Sequence, residues 1–174
     1  MTQAALSREK LHTEEAVEVH LVSQLVARQG WTERLAEAYD RRHALDPDML
    51  ADYVRRTQPE AWAKLEGQYP GRTEAELVRQ TRKRLDAVGT LEVLRTGLTI
   101  VPGIQISLCG FRPASGLNPD LQAAWEANNL GVMRQVRYSQ ASEKAIDVVL
   151  FVNGIPVATL ELKNTLTGQT YADA

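Results

Sequence analysis

Two β-rich runs, Ile146-Asp-Val-Val-Leu-Phe-Val152 and Ile155-Pro-Val-Ala-Thr-Leu-Glu-Leu-Lys163, flank the dipeptide Asn153-Gly154. Asn-Gly between such runs signals a tight hairpin, because both residues tolerate the positive φ that a strand-matched turn requires. Side chains alternate along a strand, so the register decides which of the charged residues Asp147, Glu161 and Lys163 share a face. A two-residue loop sets Asp147 opposite Leu160 and mixes polar and apolar residues on both faces. A three-residue loop, Asn153-Gly154-Ile155, separates them. One face then holds Ile146, Val148, Leu150 and Val152 with Leu162, Leu160, Ala158 and Pro156; the other gathers Asp147, Val149 and Phe151 with Glu161, Thr159 and Val157. The cleaner partition predicts a bulged or odd-length turn, with Asp147 directly across from Glu161 and Lys163 on the face of Glu161.

Two carboxylates opposite each other destabilise a sheet unless something neutralises them. One reading is structural: Asp147 and Glu161 diverge at a frayed edge and pair with Lys163 or another cation. The other is a divalent-metal site, since carboxylate oxygens suit Mg²⁺, which keeps several waters and needs only one or two carboxylates. A third carboxylate bears on the choice. At about 100° per residue, Glu18 falls in the middle of the apolar arc formed by Leu21, Val22, Leu25 and Val26. A charge there needs a partner. It either pairs with an arginine at the packing interface or reaches the same metal site.

The remaining sequence reads as helices first and strands later. Thr13 is placed to cap a helix to about Arg28, stopped by Gly30. Asp46-Pro47 is a cap followed by an N1 proline, opening a helix to about Arg56. Thr73-Glu-Ala-Glu76 has capping-box form and starts a helix that ends at Gly89. That helix carries Arg72, Arg79, Arg82, Lys83 and Arg84, which suit a solvated face or phosphate contact. Strands are expected at Leu98–Val101, Ile104–Leu108 and Val132–Tyr138, and a short helix near Leu121–Ala127. Together these predict an α/β fold, with 146–152 and about 156–163 in a mixed central sheet and the 13–28 helix beside it. Lys plus Arg is 20 and Asp plus Glu is 22, a formal charge of −2. That argues against binding nucleic acid by bulk charge, though not against a local site. The lone Cys109 and the absence of an apolar run long enough to span a bilayer point to a cytoplasmic domain. Three histidines and one cysteine show no zinc spacing. Trp31, Trp62, Trp125 and Tyr138 read as packing residues.

Asp147 followed by Glu161-Leu162-Lys163 matches the PD-(D/E)xK nuclease motif. The longer string Asp147-Val-Val-Leu-Phe-Val-Asn-Gly-Ile-Pro-Val-Ala-Thr-Leu-Glu-Leu-Lys-Asn164 resembles the N-terminal nuclease domain of the R (restriction and motor) subunit of type I restriction enzymes. The resemblance extends to Thr57-Gln-Pro-Glu-Ala-Trp62, Gly89-Thr-Leu-Glu-Val-Leu-Arg95, Phe111-Arg-Pro-Ala-Ser-Gly116, Glu126-Ala-Asn128 and Arg134-Gln-Val-Arg-Tyr-Ser139. Val17-Glu18 with Gly30-Trp31 is similar to the family's first-helix carboxylate and the glycine-aromatic pair after it. The short triplet is common, whereas the extended strings in one order are specific.

The resemblance implies a restriction-endonuclease-like core spanning residues 1–174 and a Mg²⁺-dependent endonuclease that cuts double-stranded DNA. Its implied partners are methylation and specificity subunits, in a complex driven by ATP bound elsewhere. Asp147 and Glu161 would be metal ligands and Lys163 the catalytic lysine. The Leu162 carbonyl and Glu18 would be further ligands, and Arg134 and Arg137 are candidates for phosphate contact. Two departures stand out. No Gly-Lys pair occurs, so the motor's phosphate loop is absent from these residues. The family's Gln-x-x-x-Tyr helix is not matched by Gln169-Thr-Tyr171. The expectation is a C-terminally incomplete opening piece of a longer chain. The competing expectation is a catalytically silent module that docks the other subunits.

Overall fold

In the computed structural model the described residues are 14–101 and 103–162. The expected Thr13 cap, Pro102, Lys163 and the Gln169–Tyr171 segment lie outside them. Helix α1 spans Glu14–Gln29, with Arg28 in its last turn where the helix dipole favours a cation. Gly30 leaves it at a φ of +71°. Strand β1 (Thr32–Arg34) and a 3₁₀ turn (Ala36–Ala38) follow.

Asp46 starts helix α2 (Pro47–Thr57) as predicted, accepting from the Met49 amide at 3.1 Å. It also accepts two bonds from the Arg34 guanidinium, at 2.8 and 3.0 Å, which ties the helix start to β1. Helices α3 (Pro59–Gln68), α4 (Thr73–Val88) and α5 (Thr90–Thr96) complete the first layer. The capping box expected at Thr73 does not form. Arg72 holds the cap position and Thr73 is already helical, its hydroxyl donating back to the Tyr69 carbonyl at 3.2 Å. Glu76 is taken by Arg79 instead.

The short hairpin of β2 (Leu98–Ile100) and β3 (Ile104–Ile106) packs on these helices. Leu50, Tyr53, Val54, Leu65, Leu77, Val93, Ile100 and Ile106 form its core. Helix α6 (Pro119–Glu126) is capped by Asn118 and leads to the sheet. Strand β4 (Leu130–Arg137) runs parallel to β1 and antiparallel to β5 (Ala145–Val152), which pairs antiparallel with β6 (Ile155–Leu160). The order β1-β4-β5-β6 makes a mixed four-stranded sheet. The fold is therefore α/β, with six α-helices among the described residues, consistent with a restriction-endonuclease-like core.

Both sheet faces are covered. Val22, with Leu21 and Leu25 from α1 and Trp31 beyond it, packs on Val132, Val148, Leu150 and Leu160. On the other face Met49 of α2 packs on Met133, Val136, Val149 and Phe151. Of the other two tryptophans, Trp62 lies partly buried under the Arg55 guanidinium, 4.6 Å from the ring centre, whereas Trp125 is exposed. Tyr138 falls just past the end of β4 and is exposed, not a packing residue.

The hairpin differs from expectation at its turn. The loop has two residues, not three: Asn153 and Gly154 take φ of +50° and +83°, and Val152 pairs with Ile155. A bulge at Val157 then shifts the register, so that Leu150 pairs with Ala158 and Val148 with Leu160 as predicted. The extra residue thus enters two pairs past the turn. The tight turn is held by tertiary packing, because a Cβ on Gly154 would lie 2.7 Å from the Leu50 amide nitrogen. Gly154 also accepts from the Asp46 amide at 2.9 Å, seating the turn on the start of α2.

Candidate functional site

Glu18 projects from α1 toward the sheet and is 4% exposed. With Glu15, Arg134, Gln135 and Asp147 it lines a cavity of about 540 Å³. The Gln135 amide nitrogen donates to Glu18 Oε2 at 2.7 Å and to Asp147 Oδ1 at 3.3 Å. Two carboxylates from distant parts of the chain therefore converge on a single nitrogen. Arg134 Nη1 lies 3.6 Å from Glu18 Oε1, and its Nε is 2.9 Å from Glu33. Glu18 thus has the arginine partner that one expectation gave it, and it shares a cavity with Asp147.

The facing of Asp147 is a correction. Strict alternation puts Asp147 with Val149 and Phe151 and puts Ile146 with Val148. In the structure Ile146 packs with Val149 and Phe151, while Val148 packs under α1. On β4, Met133 and Val136 likewise share a face although they are three residues apart. The ladder pairs Arg134 with Val148 and Val136 with Ile146 but skips Gln135 and Asp147. Gln135 has a φ of +52°. One residue on each strand leaves the ladder together, so the register survives while the side chains change sides. Arg134 and Gln135, neighbours that a regular strand would separate, both reach Glu18.

Asp147 has a second partner. Its Oδ2 accepts from the Leu162 backbone amide at 2.6 Å. The Glu161–Leu162 segment therefore runs beside Asp147, although the ladder ends at the Val148–Leu160 pair and β6 at Leu160, so the expected strand pairing of Asp147 with Glu161 does not form. The structure brings Leu162 to Asp147 through its amide. Glu161 is exposed, and Lys163 lies outside the described residues.

Oxygen donors at Glu18 and Asp147 form a hard-ligand set of the kind Mg²⁺ takes, with waters completing its shell. Their convergence on one hydrogen-bond donor brings both carboxylates within reach of a single nitrogen. Among the described residues no group of three or more His, Cys, Asp or Glu could hold a metal ion by itself. The donor chemistry of Glu18 and Asp147 fits a divalent cation held by two carboxylates.

The other charged candidates are engaged elsewhere. Arg137 pairs with Glu143 at 3.1 Å, and Arg41 reaches the same carboxylate at 3.3 Å. Arg79 pairs with Glu76, and Arg82 with Asp86, so these α4 residues form a solvated face laced by its own acids. Burial pushes the Cys109 thiol above its usual range, which leaves it a poor nucleophile. The Asp46 hydrogen bonds, followed by its charge, raise Arg34 and mark that pair as structural. No helix among the described residues is long and apolar enough to cross a membrane. Sequence reasoning missed Gln135 and Glu15. Glu15 lies one helical turn before Glu18 and was findable by spacing, whereas nothing local distinguishes Gln135.

No curated protein and no solved structure matches the chain. A family model does, that of the type I restriction enzyme R protein N terminus (HSDR_N), over residues 12–174. With that span matched, and with Asp147 joined to the Glu161–Leu162 segment, the chain belongs to the family of type I restriction enzyme R protein N termini.

Proposed function

We propose that this chain is the metal-dependent endonuclease module of a type I restriction R subunit, hydrolysing phosphodiester bonds of duplex DNA. In the full protein it would work beside ATP-driven motor domains, in the cytoplasm, with methylation and specificity subunits. One observation carries the reading. Glu18 and Asp147 converge on a single nitrogen, and Asp147 is bonded to the residue between Glu161 and Lys163.

Asp147, Glu161, Glu18 and the Leu162 carbonyl would hold Mg²⁺, which when bound supplies a Lewis acid for a phosphate oxygen and acidifies water. The chain's own residues do the rest. The Leu162 amide fixes one Asp147 oxygen, leaving the other directed into the cavity. Arg134 sits beside the Glu18 carboxylate and offsets its charge. Lys163 follows Glu161 two residues on, in the position of the motif's lysine. It would orient or deprotonate the attacking water or offset charge in the transition state. Arg137, the last residue of β4, is exposed, and its pair with the exposed Glu143 exchanges at low cost for DNA phosphate. Arg134 lies mid-strand between Glu18 and Glu33, where a phosphate would replace Glu33.

A second reading, a docking module without catalysis, is favoured by one feature: Arg134 and Gln135 already satisfy Glu18 without a metal. Mn²⁺ titration separates the two. The nuclease reading expects binding to the wild type and about ten-fold or greater weakening in Asp147→Ala plus Glu161→Ala, with loss of DNA cleavage by the assembled complex. Equal Mn²⁺ binding by both proteins would falsify the metal site.

A further inference from the structure

We propose that Gln135 is a positioning residue for the cation site and acts through its backbone, the left-handed φ turning Asp147 into the cavity of Glu18. The inference rests on the metal-site reading above but makes a separate claim about how the site is assembled.

Three observations meet at this residue. Gln135 has a φ of +52° in the interior of strand β4, a conformation that non-glycine residues adopt uncommonly. The ladder skips Gln135 and its opposite number Asp147 while keeping the same register on both sides. Side chains three apart share a face on each strand, Met133 with Val136 and Ile146 with Val149. The facing change therefore falls at Gln135 and Asp147. Without it Asp147 would join Val149 and Phe151 under α2, on the sheet face away from Glu18. A polar residue with an unusual backbone inside a strand, beside a candidate ligand, is where strain assembles a site rather than merely ending a ladder.

The claim separates two substitutions that a packing role would not separate. Gln135→Gly removes the side chain but keeps positive φ available. Gln135→Val supplies a β-branched side chain that disfavours positive φ and favours regular strand. On the full R protein, Mn²⁺ affinity is measured for the wild type, both variants and Asp147→Ala, with thermal unfolding to establish that each is folded. Hydrogen exchange at the Leu162 amide supplies a readout independent of metal, because that amide is bonded to Asp147. The expected result is Mn²⁺ affinity within about three-fold of wild type and protected Leu162 exchange in Gln135→Gly. In Gln135→Val, affinity falls about ten-fold or more and Leu162 exchange accelerates toward that of Asp147→Ala. Wild-type exchange and affinity in Gln135→Val would overturn the proposal, and so would a Gln135→Gly variant as impaired as Gln135→Val. If wild type and Asp147→Ala bind Mn²⁺ equally, the metal reading fails, and the exchange pattern alone still decides the role of Gln135.

Discussion

The backbone amide of Leu162 donates to Oδ2 of Asp147 at 2.6 Å. This bond joins the carboxylate at the middle of the sheet to the chain segment carrying Glu161. It also commits one Asp147 oxygen, so only Oδ1 faces Gln135 and the cavity. The charge of Asp147 and its hydrogen-bonding capacity are thus used in different places.

Asp147→Asn separates these two uses. Its amide oxygen can still accept from Leu162, while the negative charge facing the cavity is gone. Mn²⁺ affinity measured by calorimetry is expected to fall about ten-fold or more, with the unfolding midpoint within a few degrees of wild type. Wild-type affinity in this variant would remove Asp147 from the ligand set.

Asn153 does more than turn the hairpin. Fully buried, it accepts from the Asn129 amide at 2.7 Å and donates to the Leu108 carbonyl at 2.9 Å and to Asn128 Oδ1 at 2.8 Å. Asn153→Ala strands these partners and should cost about 3 kcal/mol, at roughly 1–3 kcal/mol per buried group left unmade. Asn153→Asp turns a donor into an acceptor facing two acceptors, so its carboxyl is held protonated in the fold. Its stability should therefore decline relative to wild type as pH rises through about 4, where the unfolded carboxyl ionises. Chemical denaturation at two pH values measures the difference. A pH-independent deficit would contradict this account of the site.

Asp40 sets an acid limit on the turn before α2. Burial alone would raise its carboxyl, but hydrogen bonds from the His43 ring and from the Arg42 and His43 amides outweigh it and hold the group below its ordinary value. A depressed folded pKa stabilises above the unfolded value and ceases to do so as pH falls through the folded one. The advantage of wild type over Asp40→Asn should accordingly shrink between about pH 5 and about pH 2. Denaturation midpoints across that range test it, and a gap that widens on acidification would contradict the sign.

The legible parts of the fold were those with local chemistry. Asp46-Pro47 states a cap and an N1 proline, and helix α2 begins there. Asn153-Gly154 states a hairpin, and the turn forms on those residues. The predicted Val148–Leu160 pairing holds, although the extra residue enters as a bulge at Val157 rather than within the loop. At Thr73 the local signal misled, since its hydroxyl found the Tyr69 carbonyl first.

Sequence by itself determined that Glu18 lies on an apolar helix face and that Asp147 and Glu161 belong to one hairpin. Tertiary structure alone decided that Asp147 faces Glu18. Gln135 has no intrinsic reason to adopt a left-handed conformation, which costs a non-glycine residue about 1–3 kcal/mol. The cost is offset by packing: the change of facing lets Val136, 1% exposed, bury on the Met133 and Phe151 side, where a fully buried valine is worth roughly 1.5–3 kcal/mol. Alternation is a rule about one strand, whereas this balance is struck between two strands and the helices on both faces of the sheet.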